Sequence, residues 1–256
     1  MAAKTKVTLE HEIRWPRCVR TLGDAVKYID AAGFCMLFPV VKVPLPSLHY
    51  AVTRRNLREK MVWDKYAQMV WQWKDELPKR KRAVYTKYFR GRGTLISLQL
   101  LPHFLAMREA ALVPGDHKRF YAEGRIREDA RAIWEALAAH GPMATLELRH
   151  ACKMETKAGN KRFKRAMLDL QCLLAVVHSG TEQETAAWAS GRYELTCRAF
   201  PKQVAAAQKT APADARAALA AKYLEWYPNA RVMQLVRLFG WTKEEASAAM
   251  RADGSS

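Results

Sequence analysis

The stretch Asn160-Lys-Arg-Phe-Lys-Arg-Ala-Met-Leu-Asp-Leu-Gln171 carries the pattern that decides the fold. Its apolar residues recur at helical spacing, and we expect the buried stripe to consist of Phe163, Ala166, Met167, Leu170 and Leu174. At about 100° per residue, the side opposite this stripe holds Lys161, Lys164 and Arg165, with Arg162 at its flank. We therefore predict a helix that has Asn160 as its N-cap, packs on one side and exposes a basic face on the other.

Two helices and two strands are predicted around this basic helix. An apolar periodicity from Ile126 to His140 indicates a first helix that Gly141 and Pro142 stop, and Thr145 is a suitable N-cap for a second. After the basic helix, Leu173-Leu-Ala-Val-Val-His-Ser and Arg192-Tyr-Glu-Leu-Thr-Cys-Arg are typical of strands. Three helices followed by a β-ribbon form a winged-helix module, which commonly places its third helix in a DNA groove.

The basic helix is therefore our first candidate for DNA contact. Cationic side chains at the start of a presented helix suit phosphates or guanine edges, whereas a merely solvated face would have the same composition. Lys153 and Lys157 precede the helix and extend its charge. In the ribbon we expect contact from Arg192 rather than from the tip, because Glu182 and Glu184 lie between Gly180 and Gly191.

A second basic segment runs from residue 54 to residue 92. It holds 13 lysines and arginines against four acidic residues, and aromatic side chains are interleaved with them. We expect the aromatics to be core residues of one or two helices, while a base-stacking surface is the alternative. The candidate phosphate contacts are the run Lys79, Arg80, Lys81 and Arg82, the turn residues Arg90 and Arg92, and the pair Arg54 and Arg55.

The fold class that these patterns predict is mainly α with small β-wings, in tandem winged-helix (helix-turn-helix) modules. We expect an N-terminal winged-helix-like basic domain over residues 1–112 and a central winged helix over 117–201. The linker signal between them is Val113-Pro-Gly-Asp-His-Lys. Residues 202–256 are predicted to form a three-helix, truncated winged-helix-like unit, in which Thr242-Lys-Glu-Glu245 is a capping box.

The composition of the chain indicates which binding partner and which cellular compartment to expect. The chain of 256 residues has a formal net charge of +18, which favours a polyanion such as double-stranded DNA. Its five cysteines are odd in number and lack a Cys-x-x-Cys spacing, so neither a disulfide framework nor a zinc site is indicated. Because we find neither a signal peptide nor an apolar run long enough for a membrane span, we expect a reducing cytoplasm and no membrane partner.

No established catalytic motif is present in the sequence. The seven histidines lack a metal-binding spacing, and there is no phosphate-binding glycine loop and no Gly-x-Ser-x-Gly. Acidic pairs such as Asp75-Glu76 are explained by helix-dipole compensation. We therefore expect no metal and no cofactor, and among the histidines His103 is the one to test first.

Two stretches resemble a known family. They are Trp134-Glu-Ala-Leu-Ala-Ala-His-Gly-Pro-Met-Ala-Thr-Leu-Glu-Leu-Arg149 and Ala221-Lys-Tyr-Leu-Glu-Trp-Tyr-Pro-Asn-Ala-Arg-Val-Met-Gln-Leu-Val-Arg-Leu-Phe-Gly-Trp241. Both are similar to the tandem winged-helix DNA glycosylases of the AlkZ/YcaQ group, bacterial proteins that remove alkylated bases and unhook interstrand crosslinks. The resemblance implies DNA binding, a link to repair and an association with the bacterial nucleoid.

The catalytic motif of that group is not conserved in this chain. In the group, a Gln-x-Gln or Gln-x-Asp motif positions the hydrolytic water, and the matching stretch here is Gly33-Phe-Cys-Met-Leu-Phe-Pro39. It has neither glutamine nor carboxylate, and Met and Phe cannot activate water. We therefore expect a DNA-binding protein of this type with catalysis in doubt. The alternatives are an active glycosylase that uses another residue, such as Gln99 or Glu109, and a transcriptional regulator without enzymatic activity.

Overall fold

The computed structural model describes residues 18–40, 43–55, 62–108, 113–183 and 189–252. The architecture is mainly helical, with β structure in one sheet. The helices are α1 (Leu22–Ala32), α2 (Leu48–Thr53), α3 (Lys65–Lys79), α4 (Leu101–Met107), α5 (His117–Ala122), α6 (Glu128–His140), α7 (Thr145–Ala151), α8 (Lys157–Cys172), α9 (Thr196–Ala199), α10 (Pro201–Ala207), α11 (Pro212–Trp226), α12 (Val232–Phe239) and α13 (Lys243–Ala252). None of the helices in these ranges is both long and apolar enough to cross a membrane.

Within the described ranges, six strands form one antiparallel sheet. They are β1 (Phe34–Met36), β2 (Val84–Thr86), β3 (Thr94–Ile96), β4 (Met143–Ala144), β5 (Val176–Gln183) and β6 (Ala189–Leu195). Their spatial order is β1-β3-β2-β5-β6-β4. One row of directly paired residues crosses the sheet through Cys35, Leu95, Tyr85, His178 and Tyr193. Since directly opposed residues share a face, this row defines what we call the first face.

Helices cover both faces of the sheet. On the first face, α1, α2 and α3 pack against Cys35, Leu95 and Tyr85, while α6, α7 and α8 pack against Val176 and Leu195 at the other end. On the second face, α4 and α9 to α13 enclose a core that includes Phe34, Val84 and Val177. The alternation of side chains along each short strand therefore divides the interior into separate clusters.

The predicted boundaries of the basic helix need a correction. Thr156, not Asn160, is the N-cap, because its hydroxyl accepts a hydrogen bond from the backbone N–H of Gly159 at 3.0 Å. The helix therefore starts one turn earlier than expected and includes Lys157. Thr145 is likewise the first residue of α7 rather than its cap, and its hydroxyl donates to the carbonyl of Gly191 at 2.8 Å.

Other predicted elements are confirmed with smaller shifts. The apolar stripe of α8 is buried as expected, from Phe163 to Leu174. Helix α1 starts at Leu22, where Thr21 and Asp24 form a capping box, and its C-cap is Gly33, whose φ of 74° suits glycine.

The C-terminal helices complete the core that begins with β1. Thr242 and Glu245 form the expected capping box at the start of α13. Leu219 of α11 and Phe239 of α12 belong to the same buried cluster as Phe34 of β1. The packing thus joins the first and last parts of the chain, and the division into three units at the stated boundaries stays a prediction.

Candidate nucleic-acid interface

The basic face of α8 is formed by Lys161, Lys164 and Arg165, which are all exposed. The buried stripe on the other side of the helix fixes this orientation, because Phe163 and Leu170 are enclosed by α6 and α7. Within the described residues, none of these three cations has an ion pair. They therefore present unmatched positive charge on a helix whose rotation is set by packing.

Arg162 differs from its three neighbours because it is bound to α6. Its Nε lies 2.9 Å and 3.1 Å from the two carboxylate oxygens of Asp129, and Nη2 also donates to this carboxylate. The hydrogen bonds from Arg162 lower the pKa of Asp129, and this carboxylate raises the pKa of Arg162 in turn. Our candidate Arg162 is thus exposed but already paired.

The turn before α8 brings two further candidates to the start of the helix. Lys153 has a φ of 54°, in the left-handed region that non-glycine residues rarely adopt, and Lys157 follows in the first turn of the helix. Arg149 holds this turn by donating to the carbonyls of Met154 at 3.2 Å and Glu155 at 2.7 Å. Both lysines are exposed, so the charge of the helix extends onto its preceding turn.

Arg192 lies in β6, on the ribbon beside these helices. Its Nη2 donates to the carbonyl of Pro142 at 3.3 Å, and its Nε lies 3.6 Å from the carboxylate of Glu182. The side chain is 43% exposed. Residues 184–188 of the predicted wing tip, including Glu184, lie outside the described residues. The guanidinium of Arg192 is therefore partly exposed, but the carboxylate of Glu182 offsets part of its charge.

The N-terminal candidates lie on turns and helix ends. Lys79, Arg80, Lys81 and Arg82 are exposed at the end of α3, where Glu76 pairs with Arg80 at 2.9 Å. Arg90 and Arg92 are exposed in the turn between β2 and β3. Arg54 ends α2, and Arg55 binds Asp64 at 2.7 Å. These residues therefore lie in three turns, after α2, after α3 and between β2 and β3.

Left-handed backbone is a shared property of several of these basic turns. The non-glycine residues with positive φ in the described ranges are Arg54, Lys81, Arg90, Lys153 and Leu174. All but Leu174 are candidate phosphate contacts. Left-handed backbone is typical of tight turns, and solvated turn positions without a ligand would show it as well.

The interleaved aromatics divide into a buried and an exposed group. Trp73, Tyr85, Tyr88 and Phe89 are buried, which confirms the expectation of core residues. Trp63 and Trp71, in contrast, are 54% and 42% exposed, so for these two residues the expectation is wrong. The reason is helical geometry: Trp71 and Trp73 are about 200° apart around α3, and only one of them faces the sheet.

A buried polar cluster that we did not predict lies between α3 and the first face. Lys74 donates to the carboxylate of Asp75, whose Oδ1 lies 3.4 Å from His178 Nε2. The Nδ1 of His178 accepts from the backbone N–H of Gly180 at 3.3 Å. Burial, followed by the charges of Lys74 and Lys87, lowers the pKa of His178 to about 3. No sequence motif connects α3 with β5, so this cluster was not visible from the sequence.

The stretch that matches the catalytic motif is enclosed by the core. Phe34, Cys35, Met36 and Leu37 are at most 2% exposed. Gln99 is exposed in the turn before α4, and Glu109 lies outside the described residues. The Nδ1 of His103 is buried and has no hydrogen bond in the part of the chain that the structure describes, and burial lowers the pKa of this residue. Within the described residues, no group of histidine, cysteine and acidic side chains is arranged to hold a metal ion.

Comparison with known proteins gives one match at the level of the family. No curated protein and no solved structure matches the chain. A family model described as AlkZ related matches residues 19–240. This range covers most of the chain and includes the whole sheet together with α8. The chain therefore belongs to the AlkZ-related family.

Proposed function

We propose that this protein binds double-stranded DNA with α8, in the manner of a winged-helix module, and acts in alkylation or crosslink repair. Family membership supports the link to DNA repair. The order α6, β4, α7, α8, β5 and β6 supports a winged-helix module, because such a DNA-binding module consists of three helices and a β-ribbon. A tandem arrangement with the N-terminal part, and association with the bacterial nucleoid, belong to the same proposal.

The observation that carries this proposal is the exposed face of Lys161, Lys164 and Arg165. Three cations without an ion pair among the described residues, on a helix held by its buried side, favour a polyanion, because neutralising its phosphates releases counterions. A solvated helix face commonly includes acidic residues that pair with its cations at i and i+4. On α8, Asp169 lies four residues after Arg165 but forms no ion pair with it within the described residues, and the acid that pairs is Asp129, which engages Arg162 at the edge of this face.

The chemistry of β1 favours binding over base excision. Hydrolysis of a glycosidic bond needs a group that activates water or stabilises a cationic sugar. The buried side chains from Phe34 to Leu37 supply no such group. We therefore propose that the protein recognises duplex DNA, including damaged duplex, without releasing a base through this strand.

A combined binding and base-release assay tests the proposal. Fluorescence anisotropy would compare intact and alkylated duplexes of one sequence over a series of salt concentrations, and gel analysis would detect abasic sites. We expect binding that weakens steeply with salt and no release of bases. Absence of binding at low salt contradicts the proposal. Base release would instead support an active glycosylase, and sequence-specific protection without any preference for damage would support a regulator.

A further inference from the structure

An exposed aromatic cluster lies at the edge of the sheet, outside the basic face of α8. Phe38 follows β1, and its ring centroid is 6.2 Å from that of Trp63 and 6.4 Å from that of Trp71. The two indoles are 5.8 Å apart and meet edge to face. We call Phe38, Trp63 and Trp71 the aromatic notch. Two tryptophans that are about half exposed form a large apolar surface, which typically marks a binding site.

His49 is a buried polar residue beside Phe38 of the aromatic notch. It is 5% exposed, its ring centroid lies 5.4 Å from that of Phe38, and its Nε2 has no hydrogen-bond partner in the structure described. A buried polar atom without a partner is costly, so such an atom beside a surface cluster suggests a ligand that supplies the missing bond. Burial lowers the pKa of His49, which favours the neutral ring that can donate or accept.

The surroundings of the aromatic notch are basic. Arg54 and Arg55 end the helix that carries His49, Lys65 starts α3, and the local acid Asp64 is bound by Arg55 at 2.7 Å. The ammonium of Lys74, which also donates to Asp75, lies 4.4 Å from the centroid of the Trp71 ring. Stacking rings with cations beside them suit a nucleobase whose strand carries phosphates, whereas an apolar protein partner would not require this charge.

Helices α2 and α3, beside the aromatic notch, pack on the same face of the sheet as α8. Four strand spacings separate β1 from β6, which corresponds to roughly 19 Å at about 4.8 Å per spacing. B-form DNA rises about 3.4 Å per base pair, so roughly six base pairs cover this distance. The strand beside the aromatic notch and the ribbon beside α8 are therefore separated by about the length of six base pairs.

We propose that the aromatic notch receives an unpaired nucleobase of DNA, which stacks on Trp71 and Trp63 and hydrogen-bonds His49. This inference rests on the proposed function, because α8 supplies the contact with the duplex beside the unpaired base. Phe38 belongs to the stretch that matches the catalytic motif of the glycosylases. The aromatic notch would therefore bind a displaced base beside a stretch of the protein that has no group to hydrolyse the glycosidic bond of that base.

The test compares two short duplexes that differ only by one unpaired base, carried in one of them as fluorescent 2-aminopurine. We expect the wild-type chain to bind the duplex with the unpaired base on the order of tenfold more tightly. Trp71→Ala should abolish this preference and the quenching of the 2-aminopurine while leaving affinity for the paired duplex unchanged. Trp71→Phe should retain part of both effects. The matched control is Tyr121→Ala, which removes an exposed ring from α5.

The outcomes separate this inference from the proposed function. Equal affinity of the wild type for both duplexes, or a preference that survives in Trp71→Ala, overturns the inference and leaves binding by α8 intact. If neither duplex binds, the proposed function fails as well. Self-association that Trp71→Ala abolishes would assign the aromatic notch to a second copy of the chain and would also overturn the inference. Circular dichroism establishes that each variant is folded.

Discussion

Tyr85 of β2 and His178 of β5 lie directly opposite each other, with their ring centroids 5.6 Å apart and their planes nearly perpendicular. This pair connects the strands of the N-terminal half to the ribbon beside α8. Asp75 approaches His178 from α3, and Tyr193 stacks edge to face on the other side at 5.5 Å. The junction of the two halves of the sheet is therefore built around a buried, neutral imidazole.

Replacing His178 should change how stability depends on pH. The pKa of His178 is about 3 in the folded protein against about 6.5 when unfolded, so the unfolded state binds more protons between these values. The contribution of the neutral His178 to the unfolding free energy is therefore fully present above about pH 6.5 and is lost as the pH falls toward 3. By about pH 5 the wild type should lose roughly 2 kcal/mol relative to His178→Gln. Urea denaturation across this range measures the difference.

The control for this experiment is His140→Gln, which changes an exposed histidine at the end of α6. Burial raises the carboxyl pKa values of Asp30 and Glu194, so these two groups make the folded protein more stable as the pH falls. All three proteins contain them, so their effect cancels in the comparison. A constant difference in unfolding free energy between wild type and His178→Gln at every pH would contradict the assignment.

Removing two charges from α8 should weaken DNA binding without affecting the fold. We expect Lys161→Ala with Arg165→Ala to reduce affinity for a duplex by tenfold or more and to lower the salt dependence by about two phosphate contacts. Anisotropy titrations at several salt concentrations measure both quantities. The matched control is Lys202→Ala with Lys209→Ala, which removes the same charge from the exposed side of α10 and the turn after it. Equal losses in both variants would mean that only net charge matters.

Releasing Arg162 from its partner should strengthen DNA binding. Asp129→Asn removes the carboxylate that now engages the guanidinium and leaves a side chain of nearly the same shape. We expect tighter binding and a steeper salt dependence, since one more cation becomes available beside Lys161. Double substitution with Arg162→Ala should cancel the gain. If Asp129→Asn alone binds no more tightly than the wild type, Arg162 does not contact DNA.

Gly159 should be intolerant of a side chain although it lies in a helix. A Cβ at this position would come within 2.8 Å of the backbone Cα and carbonyl carbon of Met154. The clash should outweigh the gain in helix propensity, which is about 1 kcal/mol, so Gly159→Ala should lower the unfolding free energy by about 1 kcal/mol or more. Chemical denaturation measures this change. Lys157→Ala, in the same turn, should have little effect, and a stabilised Gly159→Ala would show that the turn can move.

The sequence was most informative where the relevant interactions are local. The spacing of Phe163 to Leu174 predicted the buried stripe of α8 correctly, and the exposed basic side followed from the same periodicity. The start of this helix was misplaced because Asn160 and Thr156 are both good N-caps, and only the hydrogen bond to Gly159 distinguishes them. A helical projection of α3 would have separated the exposed Trp71 from the buried Trp73.

The candidate site was less predictable because its decisive contacts are distant in sequence. The pairing of Tyr85 with His178 and that of Arg162 with Asp129 each join separate elements, and neither leaves a local pattern. The lysine and acid at positions 74 and 75 are common residues on an exposed helix, so their burial against β5 was not apparent. Charge counts alone likewise could not separate the paired Arg162 from the unpaired Lys161.

The packing of Phe34 against Phe239 affects how the chain folds while the ribosome synthesises it. Phe34 lies near the beginning of the chain and Phe239 near its end, yet their rings are 5.9 Å apart. Contacts between such distant residues form slowly, because a long segment must first be closed into a loop. On the ribosome, β1 can pair with β3 early, but the core around Phe34 stays incomplete until α12 emerges, and we expect its exposed apolar side chains to depend on chaperones during that interval.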